Sequence, residues 1–312
     1  MRSTGLYVGP KTMNRRTFLN LGCATLFGGT VMSGVGTAYA TVMQPRCIEI
    51  TRLDINLPRC PTVLTHLTIA QLSDLHLGEH VNVDNIRHAV EITNQLGADL
   101  VLLTGHFVYH SEAHSVLCAR ELAALRSRYG VYAVLGNHDI WTHRDYVANQ
   151  LTTVGIRVLR NEGLAVKIRG QRLWLLGIED TGYTGFVGSS FDDFQSRWQG
   201  RANALAHLLD PIPDAEPRLL AVHNPDFTEM LSAGQIDLAL SGHTHGGQVK
   251  LPFIGAPVFP SCWGQKYAGG LVQSPGSLVY VNRGIGLIWP PVRFNCPPEI
   301  TVLRIKPAQA GH

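Results

Sequence analysis

Four short blocks of this chain carry side chains that ligate metal ions: Asp74-Leu75-His76, Gly136-Asn137-His138-Asp139, a lone His223, and Gly242-His243-Thr244-His245. Imidazole nitrogen, carboxylate and amide oxygen form a hard-to-borderline donor set. It suits zinc, manganese or iron and does not suit copper(I) or an iron–sulfur cluster. Asp74, His76, Asn137, His223, His243 and His245 outnumber the four donors a single zinc-like ion takes, which points to two ions. Two adjacent cations can clamp phosphate oxygens, lower the pKa of a bound water and stabilise a leaving oxygen. Each residue also has an ordinary use. Asp74 and Asn137 fit helix caps or turns, and a lone His223 fits a satisfied core position. Recurrence of the pattern in four blocks weighs for ligation.

The elements that must position these blocks follow from hydrophobic periodicity. Strands are expected near 47–55, 64–72, 99–104 and 131–135, with helices over 84–96 and 113–128 between them. The second half predicts a helix near 145–153, strands near 156–159, 163–168 and 172–178, and a helix near 191–208. Strands near 218–222, 236–240, 278–281 and 300–305 follow. An apolar run leads directly into Asp74, His106, Asn137, His223 and His243. In open α/β sheets ligands bind at the carboxyl ends of strands, so these five points can converge. Crossover helices call for parallel strands and the closely spaced short strands for antiparallel additions, giving a mixed α/β domain.

These blocks, in this order, resemble the calcineurin-like metallophosphoesterases, which show D-x-H, G-D-x-x-D, G-N-H-D, a lone His and G-H-x-H, each after a strand. Ser73-Asp74-Leu75-His76-Leu77-Gly78, the run from Ser241 to Gln248, and the tail around Arg293-Phe294 and Cys296-Pro297-Pro298-Glu299-Ile300 resemble the bacterial branch that includes exported phosphodiesterases. The resemblance implies a four-layer α/β/β/α sandwich of two mixed sheets flanked by helices. It assigns Asp74, His76 and His245 to a first divalent metal (Mn, Fe or Zn) and Asn137, His223 and His243 to a second. It makes His138 the acid beside the phosphate and Asp139 the group that orients it. The implied reaction is hydrolysis of a phosphodiester, or of a monoester, by a metal-activated hydroxide. Branch members suggest a lipid-linked substrate.

The second block departs from the family. His106 stands where an aspartate bridges both metals, and Tyr109 replaces the later aspartate. A carboxylate places one oxygen on each of two ions and adds a negative charge, whereas a neutral imidazole has one lone pair. Three arrangements follow: two ions with His106 on one of them, a single ion, or a site that binds metal or phosphate without turnover.

Away from the site, His80, His110, His114 and His143 read as solvated loop residues, although His110 could help compensate for the altered block. Trp141, Trp263 and Trp289 read as core aromatics more readily than as a substrate groove. Glu179-Asp180 reads as a turn.

The N-terminus has the layout of an export signal over residues 1–40. Arg15-Arg16-Thr17-Phe18-Leu19 resembles a twin-arginine motif, a mildly apolar Gly-rich stretch follows, and Ala38-Tyr39-Ala40 fits a cleavage site. The expectation is a single domain over 41–312, exported by the twin-arginine machinery to a periplasmic or other extracytoplasmic location, with membrane association open. The Gly-rich stretch is short for a membrane span, and none is expected later. Residues 1–40 hold four basic and no acidic side chains, which leaves 22 basic against 23 acidic in the rest of the chain. That near-neutral balance argues against a nucleic-acid partner. Five cysteines follow residue 40, at Cys47, Cys60, Cys118, Cys262 and Cys296, with no C-x-x-C. Pairs such as Cys47 with Cys60 or Cys262 with Cys296 and small buried thiols are equally compatible with that spacing.

Overall fold

The computed structural model describes residues 36–186, 188–258 and 260–308. The twin-arginine-type segment up to residue 35 lies outside the described residues. Ala38-Tyr39-Ala40 belongs to a short helical segment, and Ala40 O accepts from Arg293 N at 2.9 Å. No helix among the described residues is long and apolar enough to cross a membrane.

Two six-stranded sheets form the centre. The first has the order β1 (Glu49–Leu57), β12 (Glu299–Pro307), β2 (Thr68–Leu72), β3 (Leu100–Leu103), β4 (Val131–Ala133) and β5 (Arg157–Val158). The second has the order β10 (Gly270–Gln273), β11 (Leu278–Val281), β9 (Leu238–Ser241), β8 (Arg218–Val222), β7 (Gln171–Ile178) and β6 (Glu162–Ile168). Strands β2 to β5 run parallel, as do β7, β8, β9 and β11, while β12 against β2, β6 against β7 and β10 against β11 are antiparallel. Helices α1 (Val83–Leu96), α2 (Glu112–Leu122) and α3 (Asn137–Thr153) pack with the first sheet, and α4 (Phe191–Leu209) covers the second.

The layering follows from side-chain alternation along strands buried on both faces. In β3, Leu100 and Leu102 enter the core between the sheets, while Val101 and Leu103 meet the helices. In β8, Leu219 and Ala221 face the inter-sheet core, and Leu220 and Val222 face α4. Three apolar layers therefore separate four layers of structure, the α/β/β/α sandwich that the resemblance implies.

Two elements differ from the sequence expectation. The helix expected near 145–153 begins at Asn137, inside the Gly-Asn-His-Asp block, and kinks at His143. Asp139 makes this early start possible by accepting the Gly136 N–H at 2.9 Å, as the third residue of a capping box does. Strand β10 has no clear sequence signal because it is a four-residue edge strand that begins on Gly270, directly after Gly269. All five cysteines that follow residue 40 are free, so neither candidate pair is bonded.

Candidate metal centre

The carboxyl ends of β2, β3, β4, β8 and β9 meet at one edge of the two sheets, each delivering one block. Gln71 ties the sheets together just beneath, its amide donating to Thr104 Oγ1 at 3.0 Å and Ser241 O at 2.9 Å. Asp74 N–H donates to Gly105 O and His76 N–H to His106 O, so the first and second blocks are zipped together.

Asp74, His76, His106 and His245 form one cluster and His106, His223 and His243 another, with the ligand atoms in each within 4.8 Å of one another. Asp74 Oδ1 lies 2.7 Å from His106 Nδ1 and 3.3 Å from His245 Nε2. The Nε2 atoms of His76 and His245 are 2.9 Å apart. On the other side, Asn137 Oδ1 lies 2.6 Å from His106 Nε2. All seven residues are buried.

Hydrogen bonds turn some of these donor atoms toward the centre. His223 donates from Nδ1 to Thr104 O, which leaves Nε2 with its lone pair free. Asn137 donates its amide to Thr184 Oγ1 at 3.0 Å, turning its oxygen inward. Nitrogens of His76, His106, His243 and His245 also have no hydrogen-bond partner. Buried polar atoms without partners are costly, and a cation bound among them removes the cost. The residues therefore fit a metal centre. The backbone agrees: Asp74, His76, His106, His243 and His245 all have positive φ, between 48° and 72°. Such conformations in non-glycine residues persist where the surroundings fix them and concentrate at functional sites. Room for the rings comes from glycine. A Cβ on Gly136 would overlap His106 and His223, and one on Gly242 would overlap Ser73 and Asp74.

Burial holds the imidazoles neutral, the form that binds metal. His76, His106 and His243 sit well below the usual 6.5 through burial and then neighbouring histidines. Burial also lowers His223, and it takes His245 to about 4.

His138 lies half-buried beside both clusters, its ring 4.7 Å from His106 and 4.8 Å from His76. Burial and then His110 bring it to about 3. Asp139 does not orient His138. Its carboxylate accepts from the N–H groups of Gly136, His106 and Phe107 at 2.8–2.9 Å, so it fixes the His106 turn against the start of α3. A side chain at the third position of a helix points back to the preceding loop, away from its neighbour at position two. Tyr109, in place of the family's later aspartate, stacks on His138 at 5.4 Å.

Other sequence candidates scatter. Trp141 and Trp289 are exposed and line a cavity opening from the metal centre, contrary to a core role, whereas Trp263 is half-buried against Phe194. A bulky aromatic satisfies either use, so residue type alone could not decide. His110 and His143 are exposed and His80 and His114 half-buried. Glu179 is a buried partner of Arg144, Arg160 and Arg201, and Asp180 turns onto Gly182 N.

Sequence reasoning missed the loop after β11. Ile285 N–H donates to Ser73 O and Gly286 N–H to Asp74 O at 2.7 Å, bracing the first block from behind. Buried Arg293 holds that loop through Arg283 O, Gly284 O and Gly286 O. The one available signal was the Gly-Ile-Gly spacing at 284–286 directly after a strand.

A two-sheet α/β sandwich carrying two histidine-rich clusters at its strand ends defines a candidate metal-binding protein. The family model for calcineurin-like phosphoesterases matches residues 67–247, and the chain belongs to that family. It is similar to the uncharacterized metallophosphoesterase YkuE of Bacillus subtilis, with 30% identity over 95% of this chain and 99% of the relative. The phosphodiesterase YaeI of Escherichia coli is 29% identical over 94% and 99%. The UDP-2,3-diacylglucosamine pyrophosphatase LpxG of Chlamydia muridarum is 27% identical over 85% and 92%. The chain is thus a metal-dependent phosphoesterase.

Proposed function

We propose that this phosphoesterase acts on phosphodiesters, outside the cytoplasm, with two divalent ions of the Mn, Fe or Zn type. The observation that carries the reading is the pair of ligand clusters that share His106 and lie beside His138 at the base of one cavity. Similarity over nearly the whole chain to a phosphodiesterase and a pyrophosphatase supports a disubstituted phosphate as substrate, and the second relative supports a lipid-linked one.

Asp74, His76 and His245 would hold one ion and Asn137, His223 and His243 the other, with His106 between them. Bound divalent ions neutralise phosphate oxygens and acidify water. His138, neutral in the free protein, offers a ring N–H to a phosphate oxygen. An anion beside it favours its charged form, from which it can protonate the leaving oxygen. Tyr109 stacks on that ring and the tilted Trp141 ring packs against it at 4.8 Å. Asp139 keeps the His106 turn in place without contacting substrate.

Metal-loaded protein should hydrolyse an aryl phosphodiester faster than the matching monoester, and the reverse order would refute the diester reading. His106 in place of a carboxylate favours a second reading, a metal- or phosphate-binding protein without turnover. Bound metal with no hydrolysis across zinc, manganese and iron would establish it. Export is tested by fusing residues 1–40 to a folding-dependent reporter. R15K/R16K should block its translocation if Arg15-Arg16 is a twin-arginine signal.

A further inference from the structure

The cavity above the metal centre has a volume of about 570 Å³ and two unlike ends. Its base is His106, Asn137, His138, His243 and His245, and its walls include Val249, Val258, Ile288, Trp289 and Val292. Among the described residues no Asp, Glu, Lys or Arg lines it. The polar side chains in reach are mostly spent. Gln248 is consumed by Ile288 N, Ile288 O and Pro290 O, and Asn137 donates to Thr184, which leaves few side-chain donors, the hydroxyls of Thr184 and Thr244 and the Trp289 indole among them. A sugar or a base entering this space would lose its hydrogen bonds to water and find almost none in return.

The apolar wall continues onto the surface. Val258 is 70% and Trp289 74% exposed. Just before Val258 in the chain, a tight hairpin closed by the reciprocal Leu251–Gly255 backbone bonds at 2.9 Å presents Phe253 and Ile254 to solvent. Gln265 clamps its base through the carbonyl of Ala256. From Leu251 to Pro260 there is no charged, hydroxyl or amide side chain. Exposed apolar side chains gathered on a braced hairpin and at the cavity mouth mark an interaction surface.

We propose that the cavity is a hydrocarbon-chain subsite. The substrate is an amphiphilic phosphoester whose phosphate sits on the histidine base and whose alkyl or acyl chain lies along Val249, Val258 and Ile288, taken from a lipid surface on which the Phe253–Ile254 tip rests. The proposal rests on the reading of the base as a phosphoester site. Its charge pattern fits a bilayer, because the tip is uncharged and the rim aromatic is a Trp, which favours the interfacial region.

The test uses metal-loaded full chain and alkyl phosphates from methyl to octyl, followed by tryptophan fluorescence from Trp141 and Trp289. Affinity should rise with chain length, approaching fourfold per methylene for a fully buried chain. V258D should flatten the series and V258L should keep it. A flat series in the wild type overturns the subsite. In a second arm the protein is floated with phosphatidylcholine vesicles. Wild type should float and F253D should not, and failure of the wild type to float overturns the lipid surface as the source. Aryl phosphodiester turnover with a flat series would leave the phosphodiesterase reading intact and remove the subsite. A steep series without turnover of any ester would remove the hydrolase reading and keep the subsite.

Discussion

His106 Nδ1 lies 2.7 Å from Asp74 Oδ1, and the two groups are too poorly aligned to share a hydrogen bond. In His106→Asp the new carboxylate would face Asp74 across this gap. Two carboxylates this close repel unless a cation lies between them. The metal-free variant should therefore be less stable than wild type by about 1–3 kcal/mol. In the metal-loaded variant a carboxylate reaches both ions, and affinity for the second ion should rise at least about tenfold, or about 1.4 kcal/mol. Chelator-treated and metal-loaded melts, with metal content per chain, measure both effects. Weaker metal binding than wild type would show that the site is tuned around histidine.

Metal removal tests the unpartnered ring nitrogens directly. Nitrogens of His76, His106, His223, His243 and His245 are buried without hydrogen bonds, and five ligand residues hold positive φ. A bound ion stabilises only the folded chain, by about 2.7 kcal/mol at a free concentration one hundred times its Kd. Chelation should lower the Tm by several degrees and zinc or manganese should restore it. No change on chelation would mean that these histidines do not share a metal.

The sequence made the site more legible than its supports. Strand ends, helices α1 and α4 and the ligand blocks follow from periodicity and from residue types whose chemistry is narrow. Trp141 and Trp289 misled because an aromatic side chain fits a core and a groove equally well. The orienting role that the resemblance implies for Asp139 does not hold, because the third residue of a helix reaches backward to the turn at His106. The bracing of Asp74 by Ile285 and Gly286 runs through backbone atoms, so the Gly-Ile-Gly spacing was its one trace in the sequence.

Asp139→Asn probes that reach. The carboxylate accepts three backbone N–H bonds of 2.8–2.9 Å, and an amide presents one oxygen and one N–H₂ group to the same donors. One donor at least is left facing another donor, a loss of about 1–3 kcal/mol in stability. Because the turn that carries His106 loosens while the cavity wall is untouched, kcat should fall with little change in KM. Equal kcat for the variant and wild type, with normal metal content, would remove Asp139 from the machinery.

Acid stability follows from the balance of buried groups. His76, His106, His138, His223, His243 and His245 are all held below 6.5, with His138 at about 3 and His245 at about 4. Below pH 6.5 the unfolded chain takes up protons that these folded histidines refuse, so their contribution to stability is lost as pH falls. Asp139 and Asp180, pushed up by burial to about 7, and Asp226, pushed to about 6, act in the opposite sense. They hold protons that the unfolded chain takes up only near 3.8, and so favour the folded state on acidification. Asp237 is raised by burial as well, so six histidines stand against four aspartates and outweigh them, and each net proton is worth about 1.4 kcal/mol per pH unit. Metal-free protein should therefore be most stable close to pH 6.5–7 and lose stability steadily from there toward pH 4. Urea midpoints between pH 4 and pH 8 check this, and metal should steepen the acid limb because protons then also displace bound ions. A metal-free protein that grows more stable toward pH 4 would mean that the aspartates dominate and that the histidines are not held neutral in the fold.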